Sequence, residues 1–302
     1  MGTQFWWFFD AASAAVILIA VFLSGKKGFA KSIAVTIGWV VAMAAAFAVS
    51  GGAAGFFYGN AVKPSNVSAV ENALKHSSIT QKTKSYIEGL GYNVTVDEEK
   101  LSEIFSKSTE TDVYAELYKY VNNINGRVVD DEAAFNDKIN NGFAEIMESL
   151  LADELTNYEA EAAAEKIRTD GQSGFKSDLN VICGSDTRAA AELIEEQYTS
   201  GATSDIIRIF CFIIIVFVFM IIVSVIARKL SDGGAFSPAG DISDHVLGGI
   251  LGAVEGIAVI FTAAAAVRAL VILGSNEMML FNSETIDKTI FFKHIYNLVL
   301  KL

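Results

Sequence analysis

Long unbroken apolar runs alternate with one long polar stretch along this chain. The first run, Phe5 to Leu23, reads FWWFFDAASAAVILIAVFL; as a helix it measures about 27 Å, close to the thickness of a bilayer's hydrocarbon core. Ile33 to Phe57, Ile206 to Ala227 and Leu247 to Leu273 each exceed the roughly 18 residues that mark a membrane helix. Within hydrocarbon every backbone N–H and C=O must find its partner inside its own segment, and runs of this length satisfy that as helices. The pattern predicts an all-α integral membrane protein with four transmembrane helices. Met1 to Gln4 carries no Lys or Arg, so the first run lacks the basic start of a cleavable signal peptide and is expected to be an uncleaved helix.

The polar stretch, residues 60 to 204, separates the second span from the third. Apolar residues recur at helical spacing in Val113, Leu117, Val121, Ile124 and in Phe135, Ile139, Phe143, Ile146, Leu150, which predicts an inserted, mainly helical soluble module. A helix start is expected at Thr95-Val96-Asp97-Glu98, a loop over Gly171 to Ser185, and a helix capped by Ser185 and running to Tyr198. The organisation is therefore 1–59 (spans one and two), 60–204 (insert), 205–274 (spans three and four) and 275–302 (an amphipathic tail). In the tail, Ile286, Ile290, Leu298 and Leu302 are expected near one face, lying on the membrane surface or packing back onto the protein.

Charge sharpens this division. The 302 residues are 19% charged with net charge −12, and the insert holds 13 Lys and Arg against 26 Asp and Glu. The membrane part is therefore nearly neutral, and the acidic insert has no footprint for a phosphate backbone, so nucleic acid is not an expected partner. Cys183 and Cys211 fall in different phases and exclude a disulfide framework. With His76, His245 and His294 far apart there is no metal-ligand spacing, and no metal or cofactor is expected.

Basic residues orient the spans. Lys26, Lys27 and Lys31 lie in the first connection, while Arg228 and Lys229 open the third. Positive loops stay cytoplasmic, which puts the N-terminus, the insert and the tail on the extracytoplasmic side.

Polar and small residues inside the spans are the candidate site. Gly248, Gly252 and Gly256 share one face of the fourth span, with Gly38, and with Gly51 and Gly55, as counterparts in the second; such faces let backbones approach closely. Asp10 and Arg268 sit at matching depths of about 7.5 Å, so pairing between them is expected, with Arg208 as the competing partner. Glu255 is roughly 12 Å deep, where a carboxyl is costly and faces the bundle. HExxH, GxSxG and a helix-opening GxGxxG are absent, and Gly28-Phe29-Ala30-Lys31-Ser32 has Ala30 where a phosphate loop needs glycine. An enzyme is not expected.

Asp10, then Gly25, Gly28, Phe29 and Ser32, then Gly38-Trp39 near one end, with Asp244, Leu247-Gly248, Gly252, Gly256 and a Ser283-led tail near the other, resemble the CvpA family, the colicin V production proteins of bacterial inner membranes. The resemblance covers residues 5–57 and 204–302 and leaves out the insert, which marks a variant. His245 and Glu255 stand where that family commonly carries arginine, and Lys27 replaces another. The resemblance implies a four-helix plasma-membrane protein tied to production or export of a peptide toxin and to envelope upkeep. Expected partners are the lipid bilayer, further copies of the chain, and an export or envelope protein reached through residues 60–204. The alternative is a small transporter or channel for protons or a solute, using Glu255 and the glycine face.

Overall fold

The computed structural model describes residues 5–169, 171–232, 241–274, 278 and 280–299. They are all-α, and they divide into two compact units, Met1–Phe57 with Ser204–Leu302, and Tyr58–Thr203.

The first unit holds α1 (Trp7–Lys27), α2 (Phe29–Phe57), the end of α11 that starts at Ser200 and runs to Asp232, α12 (Ile242–Leu273), α13 (Ser283–Asp287) and α14 (Phe292–Val299). Four of its helices are long and apolar enough to cross a membrane. One residue separates α1 from α2. Gly28 has φ +80°, a conformation that glycine adopts without the steric penalty of a Cβ, and the chain reverses there.

Against this hairpin α12 runs antiparallel to α1. A Cβ at Gly248 would lie 2.7 Å from the Ser24 carbonyl oxygen, at Gly252 2.5 Å from that of Ala20, and at Gly256 3.0 Å from the Ile17 Cα. The glycine face is thus a seam against the α1 backbone. Gly38 faces Val223 of α11, and Phe47 of α2 meets Phe212 of α11 at 5.2 Å between ring centroids. With Gly51 beside Arg208, these contacts make α11 antiparallel to α2. Gly55 is the correction to the expected packing set, for nothing lies within 4 Å of a Cβ built there.

The tail packs on the bundle, and its face differs from the expected one. Phe292, Ile295, Tyr296 and Val299 are buried, whereas Ile290 and Leu298 are exposed. The helix breaks between α13 and α14, so one continuous periodicity cannot be carried through; Leu302 lies outside the described residues.

The second unit contains α3 (Lys63–His76), α4 (Ile79–Gly89), α5 (Glu98–Ser106), α6 (Val113–Asn125), α7 (Glu132–Leu151), α8 (Asn157–Thr169), α9 (Gly171–Ile182) and α10 (Thr187–Ile194). π-Helical segments stand at Tyr58–Val62 and Glu195–Thr199. Its core gathers Phe135, Ile139, Phe143 and Met147 of α7 with Phe105, Tyr114, Leu117 and Phe175. Aspartates start four of these helices: Asp97, Asp112, Asp131 and Asp186 each accept backbone N–H bonding in the first turn, satisfying donors that a helix leaves open. The cap is therefore Asp97 within the expected box, and Asp186 replaces Ser185. Residues 171–182 are helical where a loop was expected, because Phe175, Leu179 and Ile182 place an apolar stripe in the core that outweighs the low helix propensity of the local glycines.

Candidate functional site

Glu255 and its partners form a buried three-helix node in the membrane unit. Glu255 of α12 accepts from Ser24 Oγ of α1 at 2.8 Å through Oε2, and from Thr36 Oγ1 of α2 at 3.1 Å through Oε1. The carboxyl and the Ser24 and Thr36 side chains are all buried. Ser32 Oγ donates to the Ser24 carbonyl at 2.8 Å, so the two helices of the α1–α2 hairpin are also tied directly. A carboxyl buried in a span is costly unless its oxygens find donors, and here both do.

The start of α12 grips the same hairpin. Asp244 Oδ1 accepts from the Phe29 backbone N–H at 2.8 Å and so caps α2 from another helix. His245 Nδ1 lies 2.8 Å from the Gly25 carbonyl oxygen. Asp241 in turn caps α12 by accepting from the Asp244 N–H at 3.0 Å. Together with the glycine seam, these bonds bring Gly25, Gly28, Phe29, Ser32, Asp244, Gly248, Gly252 and Gly256 into one interface.

At the opposite end of α1, Asp10 meets the tail. Its oxygens accept three consecutive backbone N–H bonds, from Ile290 at 2.7 Å, Phe291 at 3.0 Å and Phe292 at 2.8 Å, and Phe9 stacks on Phe292 with ring centroids 4.8 Å apart. The pairing of Asp10 with Arg268 is accordingly not the arrangement found: a negative carboxylate at the N-terminus of α14 is favoured by the open N–H groups and the helix dipole. The charges of Arg268 and Arg208 bear instead on Asp205, which directly precedes the third apolar run. Arg208 Nε is buried.

Of the basic residues, Lys26 lies over the Phe22 ring at 4.5 Å, and Lys27 closes α1. Lys31 follows in α2. Arg228 and Lys229 stand near the end of α11 and line an apolar groove with Phe217 and Ser224. Because α11 is antiparallel to α2, these five cations lie at one end of the bundle. Among the described residues no group of three or more His, Cys, Asp or Glu side chains is arranged to hold a metal ion.

Sequence reasoning left out Ser24, Thr36 and Asp205. Serine and threonine inside an apolar run commonly bond their own helix, so a hydroxyl aimed at a distant carboxyl leaves no separate trace in sequence.

A family model described as "Colicin V production protein" matches residues 187–298. Over that stretch the chain is similar to that family. The match takes in α10, α11, α12 and the tail, hence Glu255, Asp244, His245, Arg208 and Arg268. No curated protein and no solved structure matches the chain. With four helices long and apolar enough to cross a bilayer and this likeness over its second half, it is a membrane protein.

Proposed function

We propose that this protein is a non-enzymatic accessory factor in production or export of a colicin V-like peptide toxin and in envelope maintenance. It works from the bacterial plasma membrane, with its N-terminus, residues 60–204 and tail extracytoplasmic; the five cations gathered at one end of the bundle support that orientation. The observation that carries the accessory reading is the Glu255 node. Both carboxyl oxygens are bonded to neighbouring helices, as suits a scaffold whose task is to keep α1, α2 and α12 together. The polar unit then offers the surface for an export or envelope protein.

Photo-crosslinking of the full chain in its native membrane, with probes on exposed positions of residues 60–204, tests this. Recovery of a specific export or cell-wall protein, together with loss of toxin secretion in its absence, is the expected result. The second reading, a proton or solute path through Glu255, is favoured by a carboxyl placed inside a span. It replaces the first if reconstituted vesicles show a flux that Glu255→Gln abolishes and no partner is recovered.

A further inference from the structure

Among the described residues of the polar unit two carboxyls are buried, those of Glu159 and Glu195, and their surroundings differ sharply. Glu159 of α8 has a full set of donors: Asn66 Nδ2 at 3.2 Å and Thr203 Oγ1 on Oε1, with Thr156 N at 3.0 Å and Thr156 Oγ1 at 2.7 Å on Oε2. Glu195 is fully buried, and its Oε1 accepts one bond, from Tyr58 Oη at 2.5 Å. Its Oε2 is buried and bonds to nothing. A carboxylate left in that state would carry the desolvation cost of an ion with a single donor.

The groups around Glu195 come from every element packed on it. Tyr58 belongs to the first π-helical segment. Lys63 of α3 pairs with Glu196 at 3.4 Å near the surface, Glu159 projects from α8, and Lys166 of α8 donates to the Gln197 carbonyl at 2.5 Å. On α10, Arg188 is engaged by Glu71 and Glu192. Burial pushes the Glu195 carboxyl up, Glu196 and Glu159 add to the rise, and Tyr58 and Lys63 oppose it. Both Tyr58 and Glu195 lie in π-helical segments, a rare geometry that recurs at functional sites.

We propose that Glu195 is a proton-binding site of the polar unit, a carboxyl held in its acid form beside Tyr58 and Glu159, and that losing this proton leaves a buried ion with Tyr58 as its one donor and loosens the segment around it, where the unit's two chain ends close. The step is simple in balance. The O–H bond on Oε2 breaks, the proton passes to water, and the carboxylate keeps the bonding pair with Tyr58 as its one donor.

The test uses the full chain reconstituted in lipid vesicles. Infrared spectra at neutral pH should contain a protonated-carboxyl carbonyl band that Glu195→Gln removes and Glu159→Gln leaves in place. In parallel, hydrogen exchange over residues 195–199, corrected for the intrinsic rate, should rise with pH above the ordinary glutamate range, by up to about tenfold per pH unit while the proton is being lost. Glu195→Gln should flatten that rise. Tyr58→Phe, which takes away the donor to the charged form, should move both the band's disappearance and the exchange rise to higher pH; this variant decides the matter if Glu195→Gln does not fold. A band unchanged by Glu195→Gln, or a pH response unmoved by Tyr58→Phe, overturns the proposal. So does loss of the wild-type band on adding sodium or calcium at constant pH, which would make the site one for a metal cation.

Discussion

Asp10 and Phe292, separated by 282 positions in the chain, meet through a 2.8 Å bond from the Phe292 N–H to the Asp10 carboxylate. With the N–H groups of Ile290 and Phe291 on the same carboxylate, a side chain near the start of the protein becomes the cap of its last described helix. Asp10→Ala should therefore release the tail and cost about 0.5–2 kcal/mol, the range for a lost helix cap. Hydrogen exchange at residues 290–292 should rise while α12 stays protected. A double-mutant cycle of Asp10→Asn with Arg268→Gln should be additive within about 0.5 kcal/mol, and coupling beyond that would return Arg268 to the role of partner.

The glycine seam makes a graded prediction. Gly252→Ala puts a methyl 2.5 Å from the Ala20 carbonyl oxygen, a backbone atom that cannot turn aside, and should cost about 1–3 kcal/mol. Gly55→Ala, where nothing lies within 4 Å, should be neutral or stabilising by up to about 1 kcal/mol through helix propensity. Unfolding in mixed micelles, read as the difference between the two variants, checks both.

Glu255 with its two hydroxyl partners should behave as one unit. Ser24→Ala combined with Thr36→Val leaves the carboxyl buried and unserved, at a cost of about 1–3 kcal/mol for each donor lost. Adding Glu255→Leu to that pair should recover part of the loss, since the unpaired group is then gone. Simple additivity in the triple mutant would show that the three side chains act separately.

Cys183 is held by desolvation in a thiol form, its pKa pushed up to about 12, with Thr80 opposing. The thiolate is the reactive species, so at pH 8 a maleimide should label Cys183 in a Cys211→Ser background roughly 1000-fold more slowly than an ordinary cysteine. Labelling at the ordinary rate would mean that the half-buried thiol is not desolvated as its surroundings imply.

Acid should act on Glu103. Hydrogen bonds from Lys100 and Lys107, reinforced by their charges, pull its carboxyl down to about 2. A depressed folded-state pKa contributes stability that is complete above the ordinary glutamate range and disappears as pH falls through about 2. The pH dependence of unfolding between those limits should thus be slightly shallower in Glu103→Gln, with no change in slope near neutrality. The group is exposed on α5, so the effect is small.

What could be read from the chain alone follows from local physics. A bilayer needs about 20 apolar residues per helix, so four runs of that length declared four spans, and helical spacing in 113–150 declared helices in the insert. The glycines at four-residue spacing announced a close-packed face, and Gly248, Gly252 and Gly256 form one. Which helix would fill it was not written in the spacing. Depth along a span placed Asp10 level with Arg268, yet depth says nothing about azimuth, and the tail's backbone N–H groups, which every sequence possesses, took the position. The helix over 171–182 was hidden because its glycines read locally as a loop, while the burial of Phe175 that outweighs them is a tertiary fact. Glu195 reads in sequence as one more acid in an acidic insert. Only the fold, by bringing residues 58 and 195 together and shutting out water, sets this carboxyl apart from the solvated acids described in that stretch. Segment length and charge are properties of neighbouring residues and survive in the sequence; the partner of a buried polar group is chosen across as many as 282 positions and exists only once the helices have packed.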